Sequence, residues 1–377
     1  MKMLMTIFLT FFMSHAKSTP LLQMDRAFNA LMELMPFMMK EDQFKDKKNE
    51  KIIELKIKEL NEAFRLAGHD SLIKHDLFAP SYSLVTENLD QSFSAFKKNK
   101  KDYSLWIMKR TLSLCMDCHG RLPMNLTSSF QNGEQTVNTS KLKDPYEVGL
   151  AFLIVRRIVD AKDNFRRSIQ DKIISKDSEG LILPFQQILL IETKIKKNPT
   201  SMISIIDDYI AKDNLPKDIS LELRSWKKRL LIWSNEKAVT QKITTETQLK
   251  EFIQRRLLPL KTKDSFNDAF KVDLLLASGI ISHYFFENQD SQSAPELSMW
   301  LGFIEKRLKK EDFMGSGDLF LKQCIRKYPH HPIAKECFKE YKESVLFDFT
   351  GSRGTEIPTE VNDELEELNK KILEKKK

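Results

Sequence analysis

An all-α fold is predicted for this 377-residue chain, and three observations predict it. Glycine and proline are scarce, at 11 and 13 residues, so the frequent turn signals that sandwiches and barrels need are missing. Apolar residues recur at alternating spacings of three and four over most of the chain, the period of an amphipathic helix. Apolar residues make up 41% and charged residues 30%, a globular balance that excludes a polytopic membrane protein and a disordered chain. The length suits two or three domains.

The first element, residues 1–16 (MKMLMTIFLTFFMSHA), has the form of a secretory signal peptide. Lys2 is the positive region, Met3 to Met13 the apolar run, and Ser14 and Ala16 the small residues before a cleavage point. A membrane span needs about 20 apolar residues, more than this run supplies. No other stretch approaches spanning length, so no transmembrane segment is expected after cleavage. Export to a bacterial periplasm follows. Loss of Lys2 takes the formal charge from +8 to +7. Basic and acidic residues interleave (KIKELNE, KKRLLIW, EKRLKKED), as on solvated helix faces rather than on a nucleic-acid footprint.

Four amphipathic helices are expected next. Residues 21–39 carry Met24, Phe28, Leu31 and Met35 on one face, with Pro36 expected to kink the end. Residues 49–67 carry Ile53, Ile57, Leu60 and Phe64, stopped by Gly68. Residues 81–98 carry Val85, Leu89, Phe93 and Phe96. Residues 102–119 carry Leu105, Met108, Leu112, Cys115 and His119. Such helices with short connections form a bundle. Residues 124–144 are rich in Ser, Thr, Asn and Gln, lack periodicity, and form a linker.

The fourth helix ends in Cys115-Met116-Asp117-Cys118-His119, the C-x-x-C-H pattern of c-type haem attachment. Two thiols add across the two vinyl groups of the porphyrin edge. The adjacent histidine reaches the iron as its proximal ligand. This attachment is made outside the cytoplasm in bacteria, which the signal peptide satisfies. One motif implies one covalent haem c. The alternatives are a redox dithiol, which lacks a surrounding βαβ pattern, and half of a zinc site, whose other cysteines lie in a different region.

Residues 17–123 resemble the cytochrome c-prime and cytochrome c-556 family. The likeness rests on the Met-bearing first helix, the Phe78-Ala79-Pro80 start of the third, and the run Leu114-Cys115-Met116-Asp117-Cys118-His119 closing the fourth. It implies a four-helix bundle holding the haem, with an early first-helix methionine as sixth ligand in low-spin members. That position falls on Met24. Met32 and Met35, a five-coordinate iron, and His69 or His75 in the loop after the second helix are the alternatives.

From Pro145 helical patterns resume, with candidate helices at 145–163, 164–175, 180–197, 201–213, 219–235, 245–257, 265–288, 295–310, 317–328 and 332–347. Trp300-Leu301-Gly302, followed by Phe320, Ile325 and Pro329, looks like a tetratricopeptide-type repeat. Residues 145–350 are therefore expected to form an α-solenoid, and 351–377 a charged tail helix with Val361, Leu365, Leu368 and Ile372 as a thin stripe. Cys324 and Cys337 flank the turn Tyr328-Pro329-His330-His331-Pro332 and are expected to form a disulfide in an oxidising compartment. No catalytic triad, paired-carboxylate motif or phosphate loop appears, so no enzyme is expected. The expected function is electron transfer. The repeat domain would dock a periplasmic redox protein or membrane redox complex. The alternative is a five-coordinate NO or CO sensor or adaptor.

Overall fold

The structure is a computed structural model, and it describes residues 20–68, 71–124, 136–261, 270–310, 316–352 and 354–374. The expected signal peptide and His69 lie outside them. The chain is all-α, and among the described residues the strand pairing is one two-residue antiparallel ladder, Thr350–Gly351 against Gly354–Thr355. No helix among the described residues is long and apolar enough to cross a membrane.

Helix α1 (Pro20–Met38) buries Leu31, Leu34, Met35 and Met38. It packs along α2 (Glu50–Ala67), whose Ile53, Ile57, Leu60 and Ala63 face it at helical spacing. Pro36 lies two residues from the end of α1, and the helix stops there because the turn at Met39 follows at once. Helix α3 (Ala79–Lys97) begins with Pro80 in its first turn, where a missing N–H costs nothing. It packs on α2 and on α4 (Lys101–Arg121). Asn99, at φ 57°, makes the reversal between α3 and α4, a conformation asparagine tolerates better than most residues. Ser92 and Ser104 then hydrogen-bond across the two helices at 2.9 Å.

The sequence predicts helices over 145–163 and 164–175; the structure has two helices here but breaks them earlier, as α5 (Pro145–Ile154) and α6 (Ile158–Ile174). Arg156 adopts a left-handed φ of 61° at the break. Its guanidinium donates to the carbonyls of Leu122 and Pro123, both at 2.9 Å, tying the break to the end of α4. Helix α7 (Ile182–Leu190) runs into a π-helical turn, Ile191–Ile195. Next come α8 (Pro199–Ile210), α9 (Lys217–Ser234) and α10 (Glu246–Phe252), which continues into a second π turn, Ile253–Leu257. Then follow α11 (Phe270–Glu287), α12 (Ala294–Lys310), α13 (Gly317–Lys327), α14 (Ile333–Asp348) and α15 (Thr359–Leu373).

Helices of this second half pack chiefly on their sequence neighbours: α5 on α6, α8 on α9, α11 on α12, α12 on α13, α13 on α14. The crossing of α12 and α13 requires glycine. A Cβ on Gly317 would stand 2.2 Å from the Lys306 nitrogen and 2.5 Å from the Gly302 oxygen. Trp300, two residues before Gly302 on α12, is buried in the adjoining core. Cys324 on α13 and Cys337 on α14 are both fully buried, with their sulfurs at disulfide distance, 2.08 Å. The tail helix α15 is docked on α13 and α14 through buried Leu365 and Leu368. Tyr341 donates to its Glu364 at 2.8 Å.

A single apolar core runs through both halves of the chain. Val137 and Leu142, in the segment read as linker, are buried in it. Helix α4 is the junction: it touches α5, α11 and the first π turn as well as its neighbours α1 and α3.

Candidate functional site

Cys115, Cys118 and His119 lie in the last two turns of α4. At about 100° per residue the three share one face of the helix, while Asp117 points to the opposite side. Both thiols are free. Each cysteine is half-buried, yet enough protein surrounds the sulfurs that desolvation pushes the Cys115 thiol up to about 12 and Cys118 up to about 11. A redox dithiol of the C-x-x-C kind works through a lowered thiol pKa, and burial here acts in the opposite direction.

The imidazole of His119 is held by a hydrogen bond from Nδ1 to the main-chain oxygen of Ile154. A carbonyl only accepts, so Nδ1 carries the hydrogen, and in the neutral ring Nε2 keeps its lone pair. Burial keeps the ring neutral, lowering its pKa against the opposing effect of that hydrogen bond. The Ile154 carbonyl is available because α5 ends there. Beyond that point Arg156 N–H bonds to Leu153 and Arg157 N–H to Phe152, leaving the Ile154 oxygen as one of the orphan acceptors of a helix C-terminus. The break at Arg156 thus both exposes the acceptor and anchors the exit of α4. A metal-ligating histidine needs this arrangement: one nitrogen fixed by a carbonyl, the other free to bind.

Behind the motif, Asp117 enters a buried ionic cluster. Its Oδ1 lies 3.0 Å from Lys194 Nζ, and its Oδ2 lies 3.1 Å from Arg121 and accepts from Ser316 at 2.6 Å. Lys194, on the first π turn, also reaches Glu305 of α12 at 2.8 Å. Ser278 of α11 donates to the same Glu305 oxygen. Arg121 donates to Ser81 of α3 at 2.7 Å and lies over the Phe320 ring. Burial pushes the Asp117 carboxyl up, but Arg121 and Lys194 overcome it and hold it below its ordinary value. At Glu305 burial wins, and the carboxyl is raised despite Lys194. Gly279 lets α11 approach this turn: a Cβ there would stand 2.2 Å from the Lys194 oxygen. Burying four ionisable groups carries a large desolvation cost, offset only by close pairing.

Met24 lies near the start of α1 and is half-buried, whereas Met32 and Met35 are buried in the core. His75 has no nitrogen to offer a metal. The Leu77 N–H donates to its Nδ1 at 3.0 Å, so the other nitrogen carries the hydrogen and donates to the Phe286 carbonyl at 3.3 Å. It ties the loop before α3 to the end of α11, stacked on Phe286. His330 and His331 are exposed in their turn. No group of three or more His, Cys, Asp or Glu side chains among the described residues is arranged to hold a bare metal ion.

Periodicity could not have found Ile154, Arg156, Ser316 or Glu305. Lys194 had a signal, a lone cation in the apolar stretch ILPFQQILLIETKI, where an unpaired charge is untenable. No protein-family model, curated protein or solved structure matches this chain.

Proposed function

We propose that this chain is an exported mono-haem c-type cytochrome that carries electrons, its N-terminal helices forming a four-helix haem bundle. The observation that carries the reading is His119: it closes a C-x-x-C-H motif, and its Nδ1–H is held by the Ile154 carbonyl while Nε2 is left as donor. The donor set fits haem c. Cys115 and Cys118 are unpaired thiols on the same helix face as His119, suited to thioether bonds on one porphyrin edge. When bound, haem c supplies one-electron chemistry at the iron. The residues named here hold and orient it.

In this reading Met24 is the candidate sixth ligand. A thioether there favours the reduced iron and closes it to small ligands. The helices from α5 onward form the solenoid platform that docks a periplasmic or membrane-bound redox partner.

The test is direct. The chain, expressed with its leader in a bacterium able to attach haem c, should stain for haem after denaturing electrophoresis. Cys115→Ala or Cys118→Ala should weaken the stain, and the double substitution should abolish it. An unstained wild-type band refutes the proposal. The reduced wild-type spectrum should be low-spin and unchanged by CO, and Met24→Ala should admit CO and lower the potential. CO binding by the wild type would instead support the five-coordinate sensor.

A further inference from the structure

Helix α9 is apolar on two opposite sides. Its inner face buries Ile219, Leu223, Trp226, Leu230 and Trp233. Its outer face carries Lys217, Leu221, Arg224, Lys228, Leu231 and Ile232, which fall within about 100° of arc at helical spacing. The apolar three are well exposed: Leu221 59%, Leu231 48% and Ile232 44%. An ordinary surface helix has a polar outer face, so three large aliphatic side chains in one line call for a partner.

The cations of this helix divide by position. Lys227 and Arg229, flanking the stripe, are paired with Asp207 and Asp273. Among the described residues no carboxylate pairs with Lys217, Arg224 or Lys228, the three on the stripe. Asp218 lies about a quarter turn from its centre, and Glu222 is turned away to Lys271 at 2.9 Å. Within KKRLLIW, Lys227 and Arg229 are thus charge-balanced and Lys228 is not.

The stripe lacks the layout of a protein interface, which places an apolar centre within a polar rim and is depleted of lysine. Here Arg224 and Lys228 sit between Leu221 and Leu231, in the middle of the patch. Alternating aliphatic and cationic residues suit a lipid surface instead. The aliphatic groups enter the headgroup boundary, and the cations lie along it with their heads at the phosphates.

We propose that the outer face of α9 binds an anionic phospholipid surface, seating the protein on the membrane without spanning it. This is independent of the haem reading, since the stripe is the same whether or not haem is attached. Each surface cation contributes about a fivefold factor in partitioning, so the three together contribute about a hundredfold.

The purified full chain is co-sedimented with vesicles of phosphatidylglycerol and phosphatidylcholine, and with vesicles of phosphatidylcholine alone. Binding should require phosphatidylglycerol and weaken in high salt. Lys217→Gln/Arg224→Gln/Lys228→Gln should lower it about a hundredfold. Leu221→Ser/Leu231→Ser/Ile232→Ser should lower it while leaving the salt dependence in place. The control Lys335→Gln/Lys339→Gln/Lys342→Gln removes three exposed cations elsewhere and should bind as wild type. All six stripe positions are exposed, and far-UV circular dichroism checks that the variants fold. Absence of binding to phosphatidylglycerol vesicles, or equal binding by the stripe variants, overturns the proposal. So does a dimer on size-exclusion chromatography that the serine variant abolishes, which would assign the face to a second copy.

Discussion

At the residue scale, the histidines separate by what their nitrogens do. His119 has one nitrogen engaged and one free; His75 has both engaged. The C-x-x-C-H motif was fully legible in the sequence, because covalent attachment needs fixed residue types at fixed spacing. The engagement of His75 was not, because its partner Phe286 is 211 residues away. A pH prediction follows. Burial lowers the pKa of His75, as it does for His119 and His283. Above the ordinary histidine value of about 6.5 both folded and unfolded chains hold a neutral ring. As pH falls below it, the unfolded chain takes up a proton that the folded chain refuses, so stability falls until the lowered folded pKa is passed. Each such group contributes at most about 1.4 kcal/mol per pH unit. His75→Gln, which keeps a donor and an acceptor, should flatten the acid side of the stability profile in urea titrations. An unaltered slope would show that His75 titrates alike in the folded and unfolded chains.

At the element scale, helix existence followed from periodicity, and helix ends did not. The break between α5 and α6 falls on Arg156 at φ 61°, with no glycine, asparagine or proline to announce it. What stabilises that conformation is tertiary: the carbonyls of Leu122 and Pro123 at the end of α4. The π turn at Ile191–Ile195 is similar. It places Lys194 between Asp117, 77 residues before it, and Glu305, 111 residues after it. Lys194→Met should leave buried Glu305 without a cation and Asp117 with Arg121 alone, and destabilise the protein by about 3–5 kcal/mol. Adding Asp117→Asn should recover part of that loss, because the two side chains belong to one cluster. A double-mutant cycle by chemical denaturation measures the coupling. Strict additivity would mean that the cluster does not act as a unit.

At the scale of the whole molecule, the two halves share a core, and α4 is clasped by the second half on two sides: Ile154 at His119, Lys194 and Ser316 at Asp117. The far end is closed by Cys324 and Cys337, 13 residues apart, with α15 docked beside them. Constraining a loop of about 15 residues in the unfolded chain contributes roughly 3 kcal/mol. Reduction should lower stability by about that amount. In protein unfolded without reductant, Cys324 and Cys337 should resist thiol labelling; labelling of both would show that the bridge does not form. By itself the sequence determined the helical class, the C-x-x-C-H spacing and the cysteine pairing, because each depends on spacing between residues close in the chain. Only the tertiary structure decided which carbonyl orients His119, how Asp117 is neutralised and which face of α9 is left without acidic partners. Those depend on groups brought together across long stretches of chain, where close pairing offsets the burial of Asp117, Lys194 and Glu305, while the exposed Lys217, Arg224 and Lys228 meet no carboxylate among the described residues.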